Sequence, residues 1–201
     1  AGDALKLGGY SIDMLTGNYG RAFANLQWAI DKGLVRGNID LGDLFLRLGD
    51  FDAAENLFNK MIEQGHFKND QSTISQLWYR LSQSYLATGK LDQALKAQQR
   101  FNFIARHIGD QHAQATSLHQ LASIQRQQLS WPAARKSLLE AHLLAAQLGD
   151  RKLLSDIALD LAELAVYQHQ GSEAWKYLAA ALPMKEAITD RPGLVKALHL
   201  Q

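Results

Sequence analysis

A small residue recurs along this chain at the spacing that a stack of helical hairpins imposes. Ala22, Ala54, Ala94, Ala134 and Ala174 are separated by 32, 40, 40 and 40 residues. Each sits in a matching context: Tyr19-Gly20-Arg21-Ala22, Phe51-Asp52-Ala53-Ala54, Leu91-Asp92-Gln93-Ala94, Trp131-Pro132-Ala133-Ala134 and Gly171-Ser172-Glu173-Ala174. The tripeptide Ile108-Gly109-Asp110 returns as Leu148-Gly149-Asp150 at the same shift of 40. A fixed period of this length marks stacked copies of one supersecondary unit, none of which buries its apolar face alone.

Within a unit the apolar residues follow the helical period. Trp78, Leu81 and Tyr85 form one stripe, and Leu91, Ala94, Leu95 and Phe101 form the next. Gly17, Gly49 and Gly89 stand between the two stripes, where glycine supplies the left-handed residue that ends a helix. Asp52, Asp92, Ser130 and Ser172 are expected to accept hydrogen bonds from the free amides that open the second helix. Gly109-Asp110 and Gly149-Asp150 are expected to close one unit and cap the next. The spacing therefore predicts an all-α chain, with hairpins over 3–34, 35–70, 71–110, 111–150 and 151–182. Pro183 is expected to end the fifth hairpin, and Asp190-Arg191-Pro192 to open a final helix over 190–201 that caps or continues the array. The next anchor would fall beyond Gln201, so the array is expected to continue in a longer protein.

These residues resemble the tetratricopeptide repeat, whose first helix carries a bulky residue, Leu, a small residue and Tyr, followed by Gly, an aromatic and Ala at the turn. The third unit matches with Trp78, Leu81, Ser82, Tyr85, Gly89, Leu91 and Ala94, and the second with Leu41, Gly42, Phe45, Gly49, Phe51, Ala54 and Phe58. The fourth keeps Leu118, Leu121, Ala122, Ala134, Leu138 and Ala141, and the fifth Leu161, Ala162, Ala174, Leu178 and Ala181. The first has Tyr10 where a small residue is expected, but retains Gly17, Tyr19, Ala22 and Ala29. The usual unit of that family is about 34 residues. A spacing of 40 without the closing proline is similar to the longer-period members found in LGN-type adaptors, kinesin light chain and bacterial regulators of the MalT and Rap types. The likeness spans Asp3 to Leu182 and bears on fold more than on function.

Composition narrows the chemistry. The chain has 201 residues, 47% of them hydrophobic, with only 3 Pro, which suits a helical array with a real core. Its 21 Lys+Arg balance 20 Asp+Glu, so it lacks the basic surplus of a phosphate-binding surface, and nucleic acid is not an expected direct partner. Without cysteine there is no thiol nucleophile, thiolate zinc site or disulfide. The N-terminus has no basic-then-apolar signal, and the longest apolar stretch, 177–184, falls short of the roughly 18 residues a membrane span requires. A cytoplasmic chain with no membrane partner is expected. Gly89-Lys90 has Ser84 where a phosphate loop needs its first glycine, and neither G-x-S-x-G nor H-E-x-x-H occurs. No enzymatic activity, cofactor or metal is expected. His112, His119 and His142 lack the spacing for one ion, and the stripe Asp156, Asp160 and Glu163 suits basic side chains better than a cation. Trp78 and Trp131 fall at positions the repeat buries, whereas Trp28 and Trp175 carry no such assignment.

What the resemblance implies is a right-handed superhelix whose first helices line a concave groove suited to an extended ligand. By the family's register the groove positions are Arg36, Asp40, Asp43 and Arg47 in the second unit and Gln76, Tyr79, Arg80 and Gln83 in the third. Thr116, His119, Gln120, Ser123, Arg126 and Gln127 follow in the fourth, and Asp156, Asp160, Glu163 and Tyr167 in the fifth. The central amides and guanidinium groups suit a peptide's main chain and carboxylates, and the acidic end suits Lys or Arg on the ligand. The leading expectation is a scaffold binding an extended peptide or partner segment. The alternatives are a ligand- or peptide-sensing regulatory domain of a bacterial signalling protein or transcription activator, with Tyr79 and Tyr167 stacking on a compact ligand, and homo-oligomerisation through the array ends.

Overall fold

A computed structural model describes residues 13–31, 35–64 and 70–187, leaving aside the side chains of 35–37 and 186–187. The expected first helix of the opening hairpin over 3–12 and the helix expected over 190–201 lie outside these residues. The chain forms two compact units that divide between Ala97 and Gln98. The described residues contain helices and turns and no strand. In the first unit α1 (Tyr19–Asp31), α2 (Val35–Leu48), α3 (Phe51–Glu63) and α4 (Gln71–Ala87) precede α5 (Leu91–His107), within which the division falls. The second continues through α6 (Gln111–Gln127), α7 (Trp131–Leu148), α8 (Arg151–Tyr167) and α9 (Gly171–Ala187).

The five anchor alanines are all buried. A second small-residue series at the same period, Gly42, Ser82, Ala122 and Ala162, faces them across the hairpins and is buried too. At Gly42 the approach leaves no room for a side chain: a Cβ there would stand 2.2 Å from the ring of Phe58 on α3. Small side chains thus set the distance between the two helices, and larger ones fill the space left over. In the second unit that filling is Leu118 of α6, Leu138 and Ala145 of α7, and Ile157, Leu161 and Leu164 of α8. Ala158, Leu159 and Ala162 pack on Leu178 and Ala181 of α9. In the first unit Leu26 of α1 packs with Leu41 and Leu44 of α2.

The turn inside each hairpin is left-handed, at φ +74°, +77° and +71° for Gly17, Gly49 and Gly89. One period on, Leu129 (φ 58°) and His169 (φ 57°) take the same conformation without being glycine. The turn is held by an amide reaching back five residues, Lys90 to Tyr85, Ser130 to Gln125 and Gln170 to Ala165, each at 2.8 Å. These bonds outweigh the roughly 1–2 kcal/mol that a side chain costs in this region.

The expected caps need correction. Asp110 and Asp150 do cap α6 and α8, accepting from Ala113 and Leu153, as Asp50 and Asp70 cap α3 and α4. Asp52 and Asp92 instead lie inside the first turn, Ser172 is the second residue of α9, and Ser130 makes no side-chain cap bond. The left-handed residue places the cap one position after it, so a residue three positions on is already helical. The fifth hairpin also runs past Pro183, which lies inside α9. Pro183 and Ala179 are both exposed, so the carbonyl that loses its donor lies on the solvent side. Trp78 and Trp131, expected in the core, are only half-buried; Trp28 is half-buried as well, and Trp175 is exposed.

Candidate functional site

The expected groove residues lie on the first helices of successive hairpins, and many of them meet one another. In the first unit Arg80 of α4 clasps Asp43 of α2 with two bonds, Nε at 2.5 Å and Nη2 at 2.8 Å. Burial works against the Arg80 charge, but hydrogen bonds and attraction from Asp43, with help from Asp40, overcome it and hold the guanidinium above its ordinary pKa. Arg80 also reaches the Gln76 carbonyl at 3.4 Å. Asp40, Tyr79 and Gln83 are half-buried beside this pair, and Arg47 and Gln76 are exposed. The side chain of Arg36 lies outside the described residues.

The second unit repeats the device between α6 and α8. Arg126 contacts Glu163 at 2.8 Å and Asp160 at 3.4 Å, and His119 Nε2 lies 2.7 Å from the other Asp160 oxygen. Asp156 is paired with the buried Lys185 of α9. The stripe of Asp156, Asp160 and Glu163 therefore meets basic side chains from its own chain, and the acidic end read from the sequence is neutralised. Thr116 and Gln120 are half-buried, and Ser123 and Gln127 are exposed. Tyr167, at the last residue of α8, stacks on Trp131 with ring centroids 5.5 Å apart. That contact lies at the turn between hairpin helices, away from the middle of the first-helix face. Among the described residues no group of three His, Cys, Asp or Glu side chains is placed to hold a metal ion.

Sequence reading missed the pairs on other faces. Arg135 grips Glu173 with bonds of 2.6 and 3.1 Å, which raises the pKa of the guanidinium and lowers that of the carboxyl. Buried Glu55 accepts from Lys90 at 2.8 Å and from Ser84 at 3.2 Å, and His112 meets Asp150 at 3.1 Å. A signal was present: Asp43 and Arg80 are 37 residues apart, Arg126 and Glu163 also 37, and Arg135 and Glu173 38. Opposite charges nearly one period apart face each other on adjacent equivalent helices.

The described residues thus define an all-α array of hairpins with ion pairs stitching its first helices. A tetratricopeptide-repeat family model matches residues 16–72 and 39–105. Over that stretch, residues 16–105, the chain carries tetratricopeptide repeats. No curated protein matches it in sequence. Its fold is similar to that of a signal transduction ATPase with numerous domains carrying a tetratricopeptide repeat sensor, from Pyrococcus horikoshii, at a TM-score of 0.86 and 18% identity over 97% of this chain and 31% of that one. RapI in its apo form gives 0.83 at 11% identity, covering 94% of this chain and 72% of that one. BtubC from P. vanneervenii gives 0.70 at 21% identity, covering 85% and 72%. At these identities the likeness is one of fold. Among the described residues no helix is long and apolar enough to cross a membrane.

Proposed function

We propose that the chain is a protein-interaction scaffold that takes an extended peptide along the face of its first helices. The tetratricopeptide-repeat fold is that of a non-catalytic family of protein-binding scaffolds, which supports the general reading. The observation that carries the finer one is the clasping of Arg80 by Asp43 and of Arg126 by Asp160 and Glu163. Paired charges stiffen the face before a ligand arrives and leave exposed Gln76, Ser123 and Gln127 to meet it. Amides and hydroxyls of this kind both donate and accept, which matches the main chain of an extended peptide. The preferred ligand segment is therefore polar and near neutral, rather than rich in Lys or Arg as the acidic stripe alone suggested.

A second reading, a peptide- or ligand-sensing regulatory domain, is favoured by the likeness in fold to a protein whose repeats are described as a sensor. Both readings use the same face and differ in what is attached to the chain.

A photo-activatable side chain at Ser123, and in a second variant at Gln76, tests the face directly. Covalent capture of a peptide-containing partner at these positions, with none from the same group at Leu143 or Trp175 on the second helices, is the expected result. Capture only at Leu143 or Trp175 would move the binding surface to the opposite side.

A further inference from the structure

Within the second unit, two contacts occupy the same place in the repeat and are built from different chemistry. Between α7 and α8 the facing positions hold Leu138, Leu154 and Ile157, all part of one apolar cluster. One period earlier, between α5 and α6, the same positions hold Gln98, Gln114 and Ser117. Gln98 and Ser117 are fully buried, as completely as the Leu138 and Ile157 they replace. Leu178 and, in the first unit, Phe58 and Leu77 occupy the equivalent positions and are buried hydrophobes too. Among the contacts described, this is the one at which polar side chains hold these two positions.

Part of this polarity is satisfied. Gln98 Nε2 donates to the Ser117 carbonyl at 3.1 Å, and Gln114 Nε2 to the Ala105 carbonyl at 3.3 Å. The rest is not: Gln98 Oε1, Asn102 Oδ1 and Ser117 Oγ are shielded from solvent with no hydrogen-bond partner in the protein. Turning the Gln98 amide over does not help, because it would set an oxygen against the Ser117 carbonyl. Gln98 and Asn102 are four apart on one helix, so the two residues share a face, and the backbone of Ser117 lies against Gln98 across the contact. Two amide oxygens and a hydroxyl on the helices of this one contact thus lack a partner, and what they need is a small neutral donor. A buried water supplies two donated bonds and accepts a third, the usual number for such a molecule. No carboxylate joins the three groups, which argues against a cation.

We propose that the contact between α5 and α6 is a hydrated joint: ordered water bridges Gln98, Asn102 and Ser117 and makes this the contact of the second unit that opens most readily. A polar interface already solvated inside admits further water at less cost than an apolar one, so opening here exposes little dry surface.

A crystal structure at a resolution that shows solvent, together with amide hydrogen exchange on the full chain, tests the proposal. The expected results are a water within about 3.2 Å of at least two of the three oxygens, and exchange over 98–105 and 114–120 about tenfold faster than over 138–145 and 154–160, the factor set by roughly one net hydrogen bond. The double variant Gln98→Leu with Ser117→Ile, which restores the repeat's own chemistry, is expected to expel the water and remove the difference in exchange. A dry contact, equal exchange in the unaltered protein, or a difference that persists in the folded double variant would each overturn the joint. If the double variant does not fold, the solvent position and exchange of the unaltered protein decide the matter.

Discussion

The contact of α5 with α6 and that of α7 with α8 lie 40 residues apart in one compact unit, and set side by side they show what the repeat holds constant. Gln98 and Leu138 are both fully buried, as are Ser117 and Ile157. Polarity has changed and the place of each side chain has not. The constant features are the small residues, Ala94 and Ala134 or Ser82 and Ala122, together with the left-handed turn after each first helix. Those residues fix where the helices lie, and the positions between them tolerate any side chain that fills the gap and finds partners for its polar atoms. The apolar contact stabilises the array, whereas the polar one makes it locally adjustable.

Truncation breaks the comparison most sharply. Leu138→Ala opens a cavity in the α7–α8 contact and is expected to cost about 2–5 kcal/mol. Gln98→Ala at the equivalent site removes one net hydrogen bond and leaves a polar space that the water of the proposed joint can fill, and is expected to cost about 1 kcal/mol. Denaturant unfolding of both variants checks the gap; equal losses would mean that the two contacts are energetically alike. Next in size is overpacking at the constant positions, where both contacts should respond equally. Ala134→Leu and Gly42→Ala are each expected to cost about 1–3 kcal/mol, lowering the melting temperature by about 2–4 °C for each kcal/mol in a chain of this length. An unchanged melt for Ala134→Leu would remove the small-residue account.

A smaller effect of opposite sign is expected at the turn. Leu129→Gly relieves a left-handed leucine and should raise stability by about 1 kcal/mol, whereas Gly89→Leu at the matching turn should lower it; a thermal melt of each separates the signs. The smallest effect is one of pH. His142 stands one period after Asn102, and burial holds its pKa below the ordinary value of 6.5. The unfolded chain therefore takes up a proton first, so the stabilising share of neutral His142 is present above that value and is lost as pH falls through it. Asn102 does not titrate, so the matching position of the α5–α6 contact contributes no such change over the same range. The difference in stability between the protein and its His142→Asn variant, followed from pH 7.5 to 5, should shrink on the acid side.

The period of 40, the anchor alanines, the glycine turns and two of the aspartate caps were all legible in the sequence, because each is a local rule repeated at a known offset. The left-handed turns at Leu129 and His169 were not, since neither residue announces that conformation and long-range packing imposes it. The residues expected in the groove could be assigned to the first helices by register alone. Their pairing could not, because periodicity within one helix says nothing of which charge on the next helix lies within reach. Lys185 was missed for a different reason: Pro183 reads as a terminator, and the helix continues through it.

The ion pairs between successive first helices bear on how such a chain can change length. Asp43 of α2 is clasped by Arg80 of α4 in the first unit, and Asp160 of α8 by Arg126 and His119 of α6 in the second, so each clasp joins one first helix to the next in its own unit. Excising residues 111–150 would retain the period but set Tyr79 and Leu86 where His119 and Arg126 now stand, leaving Asp160 and Glu163 without these cations. The repeats are alike in backbone yet keyed to their neighbours, so duplication or loss of one copy leaves mismatched charges at the splice and marks the order of repeats as part of the inherited design.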